Sequence, residues 1–335
     1  MNPIAVHKRI VVSILLFIAN FLYLLDDLNF AFKKALNATL IFFVLFLVFG
    51  SFRIDVSNDS FYYDLSSKIL NSNSSVLSSS RVSPPMLNQI SEFPAISARS
   101  FIAVDLTSNM ILLEKNKDLK YPPASTTKVM TALIAQELYS KGDILEIPEN
   151  CINIDAQRAG FIALEKIKYE DLISTLLISS AADSACALSI SKVEYSEFIN
   201  RMNSKARQIG MLNSNFTNPI GLDASDGAHY SSTYDLYLLA KELKEDSYLS
   251  KIVSIPTYKL TSGVFDRTVY NTNELLWNYP GTVGIKTGRT QAAKEVLMYE
   301  YSKDDIDILI VVMGSDDRFS DTKTILEWIL NNYEF

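Results

Sequence analysis

From Ala95 onward the apolar pattern changes period twice, and that order limits the fold more than any single motif does. "FIAVDL" and "MILLEKN" are β-like runs on either side of the polar "TSN", which predicts an antiparallel hairpin. The middle of the chain then takes helical spacing. A helix is predicted to begin at about Ser125, and others over Tyr169 to Ile178, Ala182 to Lys192, Ser196 to Gln208 with Gly210 just beyond, and Ser232 to Lys244. "EVLMYEY" and "IDILIVVMG", joined by "SKDD", predict a second hairpin, and "DTKTILEWILNNY" a closing helix. Strands first and last with helices between them predict an α+β fold.

The stretch before this region is built differently. Two apolar runs, Ile10 to Leu25 and Ala35 to Gly50, are each about 24 Å long as a helix, short against about 30 Å of hydrocarbon. Lys8 and Arg9 precede the first run and Lys33 and Lys34 the second, so two consecutive spans cannot both satisfy the positive-inside rule. The second run, with its lysines ahead and Val48 and Gly50 before Ser51, reads as a signal peptide. Translation is accordingly expected to start at a non-Met codon, most simply that of Leu28, and an uncleaved N-terminal anchor in the inner membrane is the alternative. "SNDSFYYDLSSKILNSNSSVLSSSRVSPP" lacks periodicity and reads as a solvated tether. The expected organisation is therefore apolar segments over 1–50, a Ser/Asn-rich linker over 51–93 and a folded domain over 94–335.

Composition excludes some chemistry. Thirty-one basic against thirty-eight acidic side chains leave −7, with no basic run, so nucleic acid is not an expected partner. Two histidines and two cysteines could hardly assemble a zinc site of three or four such ligands. Cys186, in the apolar "SACALS", reads as a small buried thiol rather than half of a disulfide with Cys151, and His229 reads as part of a surface loop before a helix.

The residues suited to chemistry begin with "PASTTKVMTAL". Positions three apart on a helix share a face, so Ser125 and Lys128 can exchange a proton there. A serine hydroxyl needs a base, and an amine serves only when neutral, which requires burial or a nearby second cation. The spacing alone is cheap, since "SISK", Ser189 to Lys192, also fits it. "GIKTGRT" supplies the second cation: Lys286-Thr287-Gly288 follows a β-like run, and a strand edge with an ammonium and a hydroxyl suits an anionic substrate end.

With these motifs in order, and with "VDLTSNMILLEKN", "LLISSAADSACAL", "NPIGLDASDGAHYSSTYDL", "NTNELLWNYPGTVGIKTGRT" and "VVMGSDDRFSDTKTILEW" around them, the chain from about Phe101 to Trp328 resembles the penicillin-binding D-alanyl-D-alanine carboxypeptidases. The resemblance implies a β-lactamase/DD-peptidase-like fold, an antiparallel sheet flanked by helices plus a helical subdomain. It also implies an extracytoplasmic serine peptidase that removes the terminal D-alanine of peptidoglycan stem peptides through an acyl-enzyme, with β-lactams as covalent inhibitors and no metal or organic cofactor. Carried over residue by residue, Ser125 is the nucleophile, Lys128 its base and Ser180 the hydroxyl that passes a proton to the departing D-alanine. Lys286, Thr287, Gly288, Arg289 and Arg318 form the substrate-binding side: Lys286 supplies the cation, Thr287 meets the terminal carboxylate, the backbone N–H of Arg289 joins that of Ser125 in the oxyanion hole, and Arg318 lies near the carboxylate.

Two departures from the family pattern stand out. Ser180-Ala181-Ala182 carries alanine where the motif usually has asparagine, a loss that Asp183 or a water could offset. The chain stops at Phe335, so the C-terminal β-rich domain of many relatives is not expected. The same motifs also occur in cross-link endopeptidases and, with an added glutamate, in β-lactamases, for which Glu327 in "EWILN" is an accidental match; a weakly active or non-enzymatic peptidoglycan-binding protein is a further alternative.

Overall fold

A computed structural model describes residues 83–88 and 91–335. Both apolar runs and most of the Ser/Asn-rich stretch lie outside the described residues, and with them the readings of signal peptide, anchor and start site. Among the described residues no helix is long and apolar enough to cross a membrane.

The framework is a five-stranded antiparallel sheet in the order β3-β2-β10-β9-β8, built from β2 (Ser100–Asp105), β3 (Ile111–Lys115), β8 (Thr282–Thr290), β9 (Lys294–Lys303) and β10 (Ile306–Ser315). Both hairpins read from the sequence are present, β2 with β3 and β9 with β10. β2 and most of β9 and β10 look continuously apolar because both faces are buried, whereas β3, at the sheet edge, is only partly covered. Ile308, Ile310 and Val312 of β10 join Phe101, Ala103 and Tyr299 against the closing helix, while Leu309, Val311 and Met313 join Ile102, Val104 and Met298 in the larger core on the other side.

The larger core is filled by the helical middle: α1 (Thr127–Leu138), α2 (Tyr169–Ile178), α3 (Ala182–Ile190), α4 (Tyr195–Gln208), α5 (Thr233–Glu245) and α6 (Ser247–Val253). Helix α1 is buried along its first nine residues, so its apolar character runs all round rather than in a stripe. Helices α1 to α5 agree with the predicted ones to within about two residues, whereas α6 was not predicted and the closing helix begins at Arg318, three residues before the predicted start. Short pieces complete the helical side: α7 (Leu275–Asn278) and the two-stranded sheets of β4 (Ile144–Glu146) with β5 (Lys166–Lys168) and β6 (Thr257–Lys259) with β7 (Thr268–Tyr270). The buried carboxylate of Asp171 accepts from Thr261 N–H, Thr261 Oγ1, Ser262 Oγ and Tyr258 OH, which pins the β6–β7 hairpin to α2.

Three findings depart from the sequence reading. β1 (Met86–Leu87) pairs antiparallel with β11 (Tyr333–Glu334), and Phe93 packs on Phe101 and Trp328, so residues read as linker enter the fold. Cys151 and Cys186 form a disulfide; the reading of Cys186 as a free thiol fails because the loop ending at Cys151 lies against α3, with 5.5 Å between the two Cα atoms. His229 is 1% exposed, not a surface residue.

Candidate active site

The site is assembled where the edge of the sheet meets the N-terminus of α1. Ser125 sits in a 3-10 turn (Ala124–Thr126) that leads into the helix. Ala124, immediately before it, has φ of +50°, a left-handed conformation that costs a non-glycine residue about 1–3 kcal/mol and sets the serine at the turn's mouth. Among the described residues strand β8 pairs in the sheet with β9 alone, which leaves its other edge open. That edge runs along the turn so closely that a Cβ on Gly288 would lie 3.0 Å from both the Ser125 nitrogen and the Ala124 Cβ. The third residue of Lys286-Thr287-Gly288 is glycine because the turn leaves no room for a side chain. Edge amides of β8 and the amide of Ser125 at a helix mouth thus border the same small space.

Lys128 is the second residue of α1, one helical turn on from Ser125, 1% exposed, with Nζ 3.1 Å from Ser125 Oγ and 2.7 Å from the carbonyl oxygen of Ile220. Burial holds its ammonium down to about 7, against a smaller opposing pull from Asp183. A neutral amine here has two N–H groups and one lone pair. The Ile220 carbonyl accepts one N–H, which leaves the lone pair available to the serine proton.

The loop carrying Ile220 is tied to α1 by further bonds that the sequence reading missed. Thr131 Oγ1 donates to the Pro219 carbonyl at 2.6 Å, and Asn218 Oδ1 accepts the N–H groups of Ile220, Gly221 and Leu222. Gly221, at φ of +90°, abuts the Ala124 carbonyl so tightly that any Cβ would overlap it. The Thr217 N–H donates to His229 Nδ1 at 3.0 Å, so the ring carries its proton on Nε2 and donates it to Thr127 Oγ1 at 2.9 Å. Burial holds this imidazole down to about 4, so it is neutral near pH 7. The Asn-Pro-x-Gly sequence ahead of the histidine was the available signal for a turn built against a partner.

Lys286 is 1% exposed and its ammonium is disfavoured, first by burial and then by repulsion from Lys128 and Arg318. The two lysines therefore converge as the motifs predict, with one correction of cause. At Lys128 it is burial, not the second cation, that lowers the proton affinity, and the mutual repulsion is felt at Lys286.

Ser180 is 6% exposed at φ of +63°, in the turn between α2 and α3. Ile178, two residues before it, accepts from the Thr272 N–H, and Asp183, three residues after it, is close enough to act on Lys128. The idea that Asp183 replaces the missing amide of residue 182 is overturned. Its two carboxylate oxygens accept the N–H groups of Ala159, Gly160 and Phe161, so it is committed to holding that loop. Ala182 is fully buried, its N–H bonded to the Gln157 carbonyl.

Arg318 opens the closing helix α8 (Arg318–Asn332) with its side chain only 13% exposed, Nη1 3.4 Å from the Gly288 carbonyl and 3.5 Å from Glu295 Oε1. Its Nε is buried without a hydrogen-bond partner. Arg289 differs: its side chain is 78% exposed, which leaves its backbone N–H as the group for the role that the family resemblance implies. Glu327 is exposed on α8, where it has no part in the site. Among the described residues no cluster of three or more His, Cys, Asp or Glu side chains could hold a metal ion.

A partly buried serine beside a buried, weakly basic lysine, along a strand edge that carries a second buried lysine, is an arrangement suited to acyl transfer on a penicillin-binding-protein fold. A D-alanyl-D-alanine carboxypeptidase from Mycobacterium tuberculosis H37Rv superposes with a TM-score of 0.69 at 24% identity, over 73% of this chain and 96% of that one. Residues 87–317 match the model of the peptidase S11 family, D-alanyl-D-alanine carboxypeptidase, and the chain belongs to that family. Among curated relatives, D-alanyl-D-alanine carboxypeptidase DacF of Bacillus subtilis is 30% identical over 251 residues, covering 72% of this chain and 64% of that protein's length. The D-alanyl-D-alanine endopeptidase of Escherichia coli is 29% identical over 252 residues, 70% of this chain and 78% of its own.

Proposed function

We propose that this chain is a serine-type D-alanyl-D-alanine carboxypeptidase that removes the terminal D-alanine from peptidoglycan stem peptides. The observation that carries the reading is the 3.1 Å contact between Lys128 Nζ and Ser125 Oγ, with an amine whose proton affinity is matched to neutral pH. Lys128 takes the hydroxyl proton as Ser125 Oγ attacks the carbonyl of the penultimate D-alanine. The oxyanion faces the N–H groups of Ser125 and Arg289, and collapse of the tetrahedral intermediate expels the terminal D-alanine, protonated through Ser180. Thr287, Lys286 and Arg318 hold the leaving residue's carboxylate, and water then releases the acyl chain from Ser125. No metal or organic cofactor enters these steps.

The same serine is expected to open a β-lactam ring and remain acylated. A labelled penicillin supplies the test: one covalent adduct on Ser125, absent from Ser125→Ala, with D-alanine released from a pentapeptide by the native chain alone. A native chain that neither forms the adduct nor releases D-alanine is a binding protein, not an enzyme.

The likeness to an endopeptidase supports a second reading, cleavage of D-alanyl cross-links by the same residues. Incubation with a pentapeptide and with a cross-linked dimer separates the two. Action outside the cytoplasm is supported by the Cys151–Cys186 disulfide, a bond that persists in oxidising compartments. The apolar runs over 1–50 are read as the device that exports the chain or holds it at the inner membrane.

A further inference from the structure

The segment Asn271-Thr272-Asn273 has no part in the chemistry described above, yet it bonds to three elements around the site. Asn271 is buried, and its Nδ2 donates to the carbonyls of Val253 and Ile255 at the end of α6. Asn273 is fully buried, and its Nδ2 donates to the Gly284 carbonyl, two residues before Lys286. Between them the Thr272 N–H donates to the Ile178 carbonyl in the last turn of α2, just ahead of Ser180. With both flanking side chains locked, the Thr272 side chain has a fixed direction, and its Oγ1 lies 2.5 Å from Thr287 Oγ1.

Two hydroxyls this close share one proton along the line between them, so one donates and the other accepts. If Thr287 is to donate to a carboxylate, its proton must point away from Thr272, and Thr272 must then be the donor in the pair. An anion in the pocket favours that arrangement, because a hydroxyl that accepts a hydrogen bond becomes a better donor. We propose that Thr272 is a positioning residue for recognition of the substrate's terminal carboxylate: its hydroxyl donates to Thr287 Oγ1 and turns the Thr287 proton toward the anion. This inference rests on the reading of Thr287 as a carboxylate contact. It adds that the contact is oriented from the segment that also braces the Ser180 turn, so the anion pocket and the proton-relay serine share one support.

The test compares ligands with and without a carboxylate on the full chain. Thr272→Val keeps the side chain's shape and removes its donor, and Thr272→Ser keeps the donor. Thr272→Val is expected to lower the second-order rate of acylation by benzylpenicillin by about five- to tenfold, the size of one hydrogen bond, and Thr272→Ser to restore most of it. The inhibition constant of phenylboronic acid, which can engage Ser125 without any carboxylate, is expected to stay within about twofold. In the double variant Thr272→Val/Thr287→Val the penicillin rate should fall no further than in Thr287→Val, since both substitutions remove one chain of bonds. Three results overturn the inference: an unchanged penicillin rate in Thr272→Val, an equal loss for the boronate, or losses that multiply in the double variant. Failure of the underlying reading looks different, because there Thr287→Val itself leaves the penicillin rate unchanged.

Discussion

At the scale of single residues, the site depends on an amine that is neutral because it is buried. With Lys128 held to about 7, acylation of Ser125 should rise with pH through that value as the ammonium loses its proton. Below it the rate should fall about tenfold per pH unit, because only the unprotonated amine can accept the serine proton. A stopped-flow profile of β-lactam acylation between pH 5 and 9 checks this, and a flat profile removes Lys128 from the role of base. Ala182 makes the second residue-scale case. With Asp183 bound to the amides of residues 159–161, no neighbouring carboxylate replaces the missing amide. Ala182→Asn is accordingly expected to leave the acylation rate unchanged or to raise it, by roughly ten- to a hundredfold if one hydrogen bond to a charged group is felt fully in the transition state. A clear fall would mean that residue 182 does not face the substrate.

At the scale of elements, the disulfide joins the 3-10 turn ending at Cys151 to α3, the helix that follows the Ser180 turn. It closes a loop with a sequence separation of 35, for which the chain-entropy estimate is about 3–4 kcal/mol. Cys151→Ser/Cys186→Ser should therefore lower the urea midpoint by that amount divided by the m-value, an outcome read directly from denaturation curves. The sequence disclosed the long elements well. The strands of both hairpins and helices such as Tyr169–Ile178 are long enough for a period to appear. β4 to β7 were not legible, since three residues cannot display an alternation, and their pairing is fixed by distant groups such as Asp171. The same reason hid the disulfide and the burial of His229. Both depend on loops brought together from 35 and about 100 residues away, which no local pattern encodes. Ser125 and the two lysines could be read because each lies in a short motif whose spacing reflects one local element.

At the scale of the whole molecule, helices on both faces of the sheet explain why its strands look alike in sequence yet serve different ends. β10, in the middle, is buried on both faces and holds the two cores apart, whereas β8, at the edge, keeps its outer side open to the turn that carries Ser125. The short pair β1–β11 lies at the opposite end of α8 from Arg318. The Asn332 carbonyl accepts the Asn88 N–H, and Asn332 Oδ1 accepts that of Ser91, at the end of a 15-residue helix about 22 Å long. A pull applied at Met86 is therefore borne at the opposite end of α8 from Arg318, the residue that lies against the Gly288 edge.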